Sequence, residues 1–276
     1  MTETERCPSC TSATRATANH LGFELAVCDV CGLWFWPHRQ AADYEAVYLT
    51  PEYKQVQIAE WEEATDLSQF IYHPTYAPFF REVPHTKGAQ LLDIGCGVGR
   101  FLAAAHSLGW EVRGIDTSHR AIEVGRGRAS FPMSTETLEQ LNRAGERFDV
   151  VTAFEVMEHL EHPIEVLQSV RSVLKPGGRV FCTVPNRDSP AVRSTRRQDW
   201  LPPVHLQFFV PAAMRRMLAC SGYEDVRTGY IWVGTLPPFN LSTRALRQTV
   251  GYLLRRGAGR VRPDPLGIWA VGRLTS

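Results

Sequence analysis

"QLLDIGCGVGRFLAAAHSLGW", residues 90–110, changes character twice in twenty-one positions. An apolar run carrying Asp93 gives way to glycines at 95, 97 and 99, and then to an amphipathic stretch closed by Gly109. That order predicts a strand, a tight turn and a helix. Glycines in such a turn let the backbone approach a ligand held at the helix N-terminus. A glycine-rich turn alone is not specific, because several nucleotide-binding folds use one. From residue 90 onward, however, short apolar runs keep alternating with amphipathic segments, the rhythm of a parallel α/β sheet.

The next unit narrows the ligand. "EVRGIDTSHRAIEVGR", residues 111–126, predicts a second strand ending at Asp116 and a helix capped by Ser118. An acid at that strand end is placed to hydrogen-bond a ribose diol. The turn itself reads D-x-G-x-G-x-G rather than G-x-G-x-x-G. A carboxylate ahead of the glycines repels a pyrophosphate and suits a cationic amino group. S-adenosylmethionine carries an amino-acid tail and a ribose but no phosphate, so these residues favour a methyl donor over a nicotinamide.

Taken in order, "LLDIGCGVGRFL", "GIDTS", "FDVVTAFEVMEHLEHP", "VLKPGGRVFCTVPN" and "HLQFFVPAAMRRMLACSGY" resemble class I S-adenosylmethionine-dependent methyltransferases. The likeness is to the type 23 branch, which includes ubiquinone O-methyltransferases and many bacterial natural-product and polysaccharide enzymes. It covers roughly residues 70 to 276. The resemblance implies a Rossmann-like α/β fold of seven strands with the last one antiparallel, "PLGIWAVGRL" pairing with "DVRTGYIWV". It also implies that Asp93, Gly95 and Gly97, with Cys96 between them, hold the methionine moiety. Asp116, beside Thr117, then takes the ribose hydroxyls, while Thr137 and Leu138 stand near the adenine. The usual acid-apolar pair at that last position is replaced here by "TETLEQL".

Residues 154–163, "FEVMEHLEHP", gather three glutamates and two histidines after a near-continuously apolar fourth strand, "RFDVVTAF". Pro163 predicts the start of the following helix, and "KPGG" its end. The cluster therefore falls at the C-terminal edge of the sheet, where open α/β folds bind ligands. Three readings stand side by side. Glu155 and His159 can be polar connectors that bond backbone or cofactor. His159 can be the general base that takes a proton from an acceptor hydroxyl. Or Glu155, Glu158 and His159, joined by His205 from "VHLQFF", can bind a second divalent metal such as Mg²⁺, Mn²⁺, Fe²⁺ or Zn²⁺. E-x-x-E-H with a later histidine resembles the metal site of small-RNA 2′-O-methyltransferases and of some ubiquinone O-methyltransferases. His162 is read as a loop or core histidine.

Four of the seven cysteines fall in the first 31 residues. Cys7, Cys10, Cys28 and Cys31 read C-x2-C-x17-C-x2-C, the spacing of a structural zinc knuckle with a closed four-thiolate site. A pair of disulfides is the competing account. The opening "MTETERCPSC" has no secretory signal, no apolar run is long enough to span a membrane, and a cytoplasmic location is expected. The 276 residues divide into an expected zinc-binding module (1–40), a helical lid or linker (41–88) and a cofactor-binding domain (89–276). The lid is rich in tyrosine, and Tyr48, Tyr53, Tyr72 and Tyr76 are candidate contacts or packing residues. A long loop after the fifth strand brings Arg193, Arg196 and Arg197 toward the acceptor pocket. A formal charge of +1 argues against a nucleic-acid partner, although Arg244 to Arg262 hold six arginines and no acid.

The expected activity is O-methylation of a small hydroxylated acceptor: a sugar, a polysaccharide unit, a polyketide or another natural product. Three alternatives stay open. One is metal-assisted methylation of a nucleic-acid ribose. Another is C-methylation of a nucleotide sugar, since an N-terminal four-cysteine module also resembles deoxysugar C-methyltransferases. The third is a non-catalytic zinc-ribbon binding protein.

Overall fold

The computed structural model describes residues 6–14, 16–38, 58–194, 200–233 and 264–275. The chain begins with β1 (Ala16–His20), β2 (Phe23–Val27) and the two-residue β3 (Trp34–Phe35). A 3-10 segment (Leu67–Tyr72) and α1 (Ala77–Glu82) lead into β4 (Gln90–Ile94), and α2 (Arg100–Ser107), β5 (Glu111–Ile115), α3 (His119–Arg126) and β6 (Met133–Ser134) follow. Next come α4 (Leu138–Arg143), β7 (Phe148–Phe154), a 3-10 turn (Met157–His159), α5 (Pro163–Arg171) and β8 (Leu174–Pro185). The remainder is α6 (Pro190–Ser194), β9 (Gln207–Phe208), α7 (Pro211–Cys220), β10 (Glu224–Val233) and β11 (Asp264–Arg273).

Seven strands form one sheet in the order β10-β11-β8-β7-β4-β5-β6. The five from β4 to β8 run parallel, and β11 inserts antiparallel between β8 and β10. This is the expected Rossmann-like sheet, with "PLGIWAVGRL" paired to "DVRTGYIWV" as the resemblance implies. Strand periodicity sorts neighbouring residues onto opposite faces. Leu92, Val151, Val180 and Ala270 join α5 and α7 in one core. Leu91, Val150, Phe181 and Trp269 join α1 and α2 in the other. On that second face Phe79 meets Phe101, Phe181 and Trp110 with ring centroids 5.0, 5.4 and 5.5 Å away.

One expectation is corrected. "KPGG" does not end α5, which stops at Arg171 with Ser172 as its cap. It is instead a bulge at the start of β8: the register passes from Phe148↔Leu174 to Val150↔Arg179, and Gly177 sits at φ +75°.

A second sheet of four strands, β1-β2-β3-β9, is antiparallel throughout. Its fourth strand is not N-terminal: β9 comes from the segment after β8, with Trp34 opposite Phe208 and Phe35 opposite Gln207.

Candidate functional site

A cleft of about 1070 Å³ opens at the C-terminal ends of β4, β5, β6 and β7. Drug-sized ligands occupy pockets of about 300–1,000 Å³, so this one has room for a nucleoside-sized cofactor and an acceptor. Asp93, Gly95, Cys96, Gly97, Asp116, Thr117, Thr137, Leu138, Glu155 and His159 all line it. The glycine turn is required by geometry at two places. Gly95 has φ +67°, and a Cβ there would lie 2.5 Å from Val156 Cγ2. Gly99 caps α2 in the left-handed region at φ +92°.

The two acids are held differently. Asp116 Oδ2 accepts from Gly97 N–H and Oδ1 from Ser118 N–H, each at 2.8 Å, so its carboxylate ties the two turns together. Asp93 is buried, and its Oδ1 accepts from Thr152 Oγ1 at 2.7 Å. Burial pushes its carboxyl up to about 8, with the nearby Asp116 charge adding to the rise and the Thr152 bond opposing it. Thr137 also caps α4 in a reciprocal capping box with Gln140.

The acid-histidine stretch folds as expected at the end of β7, but its members part company. Glu155 is held at φ +55° and accepts from Thr183 Oγ1 at 2.8 Å. Burial pushes it up to about 7. The one-turn 3-10 segment then swings Glu158 and His159 the other way. Ligand atoms of Glu158, His159 and His205 all lie within 4.8 Å of one another, and Glu155 is outside that group. Of the three, only His159 lines the cleft; Glu158 and His205 are buried behind it, 1% and 7% exposed. Both Glu158 carboxylate oxygens are fully enclosed without a hydrogen-bond partner among the described residues. Burial drives the Glu158 carboxyl well up and the His205 imidazole well down. His159 Nδ1 lies 2.9 Å from the Val204 carbonyl oxygen, its ring meets the His205 ring edge-on at 4.7 Å, and Trp200 stacks on His205 at 6.0 Å. His162 stands apart, its side chain half exposed at the start of α5.

Among the tyrosines, Tyr76 lines the cleft against Phe101 and Phe154, whereas Tyr72 is 74% exposed and does not. Tyr48 and Tyr53 lie outside the described residues, as do Arg196, Arg197 and the arginine-rich stretch 244–262. Arg193 closes α6 and does not line the cleft. His73 and Thr75 do line it, with the His73 imidazole pushed down to about 4 by burial and then by Arg100. Nothing in "YHPTY" marked His73 as a site residue; only the fold of the 67–76 segment over α2 brings it there.

The four N-terminal cysteines are buried and free of disulfides, with their sulfurs within 4.8 Å of one another. Cys7 and Cys31 sulfurs are 3.6 Å apart, and those of Cys10 and Cys28 3.5 Å. A disulfide needs about 2.05 Å. A tetrahedron with metal–sulfur bonds of about 2.3 Å has edges of about 3.8 Å, so the spacing fits four ligands around one ion. Each pair sits on a knuckle turn: Gly32 N–H donates to Cys28 O at 2.8 Å and Thr11 N–H to Cys7 O at 2.8 Å.

Residues 72–228 match a family whose description is methyltransferase domain. Over 174 residues, 58% of this chain and 70% of the relative, the sequence is 35% identical to a ubiquinone biosynthesis O-methyltransferase of Cereibacter sphaeroides. Two solved structures share the fold. A phosphoethanolamine N-methyltransferase 2 of Haemonchus contortus, in complex with S-adenosyl-L-methionine, aligns over 95% of this chain and 71% of its own at 15% identity and a TM-score of 0.56. The plantazolicin methyltransferase BpumL, in complex with SAH, aligns over 84% of this chain and 93% of its own at 17% identity and a TM-score of 0.54.

Proposed function

The chain belongs to the methyltransferase-domain family and is an S-adenosylmethionine-dependent methyltransferase; on that premise we propose that it methylates a hydroxyl of a small acceptor beside His159. The observation that carries this reading is the convergence of Glu158, His159 and His205 behind the cleft wall, with His159 alone reaching the cleft. An oxygen nucleophile must lose its proton as it takes the methyl group, and a base beside the acceptor serves that step.

The cofactor contributes a methyl group activated by its sulfonium centre. Asp93 receives the cofactor's cationic ammonium, the Gly95 to Gly97 turn lets the backbone approach its amino-acid tail, and Asp116 meets the ribose. Thr137 and Leu138 border the base. A carboxyl buried without a hydrogen-bond partner among the described residues, as Glu158 is, needs either a proton or a cation. The donor set of one carboxylate and two imidazoles fits a divalent ion, which would polarise an acceptor hydroxyl when bound. Glu155 is left out of that ligand set. A metal-free reading is favoured by one contact: with Nδ1–H donated to the Val204 carbonyl, the basic nitrogen of His159 is Nε2, which lies 3.8 Å from Glu158 Oε1 and serves as the base for the acceptor's proton. The four-cysteine site holds a structural zinc ion, since a closed sulfur tetrahedron keeps no open position.

The 35% identical relative is named for ubiquinone biosynthesis, and the cleft wall carries Tyr76, Phe101 and Phe154, which together support an aromatic alcohol as acceptor. The experiment is methyl transfer from labelled S-adenosylmethionine to 3,4-dihydroxybenzoate, to a hexose and to a primary amine. Transfer to the phenol, lost in His159→Ala, is the expected result; transfer to the amine with His159→Ala fully active would overturn the reading.

A further inference from the structure

The four-cysteine module contributes no side chain to the cleft wall among the described residues, so direct ligand contact does not explain its attachment. Its position does. Trp34 and Phe35, three and four residues after Cys31, pair with Phe208 and Gln207. The ladder continues one step further, with Trp36 N–H donating to Leu206 O at 2.8 Å. On its other side Leu206 donates its own N–H to Glu158 O at 2.8 Å. Leu206 thus stands between the module and the 3-10 turn that carries Glu158 and His159, and it directly follows His205. Gln207 adds a bond from Nε2 to Leu160 O at 2.5 Å.

The module is fastened to the large domain at further points. Arg187 donates to Gly32 O at 2.5 Å and lies over the Trp34 ring at 4.5 Å. Ser9 Oγ donates to Ala213 O at 2.7 Å, and His20 packs edge-on against Phe208 at 5.2 Å. A strand pair of two residues has no stability of its own. β3 is held on its other edge by β2, with Ala26 opposite Phe35 and Val27 opposite Trp34, and the knuckle joins β2 to β3, where Cys28 N–H donates to Leu33 O at 2.9 Å. The knuckle in turn is ordered by whatever binds the four sulfurs.

We propose that the metal at Cys7, Cys10, Cys28 and Cys31 is a positioning device for the reaction centre: it orders β3, β3 orders β9, and β9 sets His205 and the Glu158–His159 turn against each other. The inference rests on the reading of these three residues given above, and it predicts that sulfur-bound metal is needed for their geometry and not for cofactor binding.

The test uses the full chain loaded with diamagnetic Zn²⁺, its content fixed by elemental analysis, and compares it with Cys31→Ala, which opens the sulfur site and leaves the Cys96 thiol of the cofactor turn untouched. Three quantities are compared between the two proteins: amide exchange at Trp36 and Leu206, the ring resonances of His159 and His205, and affinity for S-adenosylhomocysteine. The expected result in Cys31→Ala is exchange faster by about a hundredfold at both amides, displaced ring resonances, and a dissociation constant within about threefold of the zinc-loaded protein's. Unchanged exchange at Leu206 would overturn the proposal. So would cofactor-product affinity falling in parallel, since the module would then support the whole fold. Cys31→His, which keeps four ligands, should retain the protection that Cys31→Ala loses. Acceptor turnover enters none of these readings, so a wrong acceptor and a wrong coupling fail in different experiments.

Discussion

Two clusters of side chains with metal-ligand chemistry sit among the described residues, and they differ in how they are built. The four cysteines come from within 24 residues of one another, are sealed from solvent and offer only sulfur. The Glu158–His159–His205 group draws on residues 47 positions apart, mixes oxygen with nitrogen, and reaches the cleft through one member. A closed, chemically uniform cluster stabilises structure; an open, mixed one can do chemistry. The comparison can be broken or sharpened by substitution.

The largest effect is expected at His159. His159→Ala should lower methyl transfer by about 10²–10⁴-fold while S-adenosylhomocysteine still binds in a calorimeter; loss of both together would make the open cluster a structural one as well. Next is Asp93→Ala, for which cofactor affinity should fall about a hundredfold or more, measured by the same titration.

Asp93 also sets a pH dependence. Its folded pKa is raised to about 8, above the ordinary 3.8, so the ligand-free protein keeps it neutral where the unfolded chain ionises it. That contribution to stability is full below about pH 3.8 and is lost as pH rises through 8. Cofactor binding has the opposite sign, because the ammonium pairs with the ionised form. Affinity should climb by up to about tenfold per unit from pH 6 to 8 and then flatten, and Asp93→Asn should remove the slope.

Smaller still, Glu158→Leu should release any chelatable second metal seen by elemental analysis. In metal-stripped protein it should raise unfolding free energy by about 1–3 kcal/mol, because a buried carboxyl that makes no hydrogen bond among the described residues disappears. His162→Ala, outside both clusters, should leave turnover within about twofold.

The closed cluster was fully readable in the sequence, because C-x2-C spacing is a local property of a turn. The glycine turn and Asp116 were readable for a similar reason: each strand–turn–helix unit writes its own periodicity, whereas the antiparallel last strand came from the family resemblance. The open cluster was read only in part. Spacing could not separate Glu155 from Glu158, since the left-handed backbone at Glu155 and the 3-10 turn after it decide which way each carboxylate faces. The β3–β9 pairing was not readable at all. Two residues on each side carry no period, and their partnership depends on how 170 residues of intervening chain fold.

The place of β11 carries a consequence for how this chain is made. Among the described residues, the hydrogen-bonding edge of β8 from Arg179 to Pro185 is covered by β11. About 80 residues of chain lie between the end of β8 and the start of β11, and at about 5–20 residues per second a ribosome takes roughly 4–16 s to supply them. For that interval a nascent chain presents an open strand rich in valine and phenylalanine, a template for pairing with its neighbours. Overexpression should therefore favour aggregates when translation is fast and the temperature high. Slower synthesis, or a chaperone that shields open strand edges, should shift the yield toward folded protein.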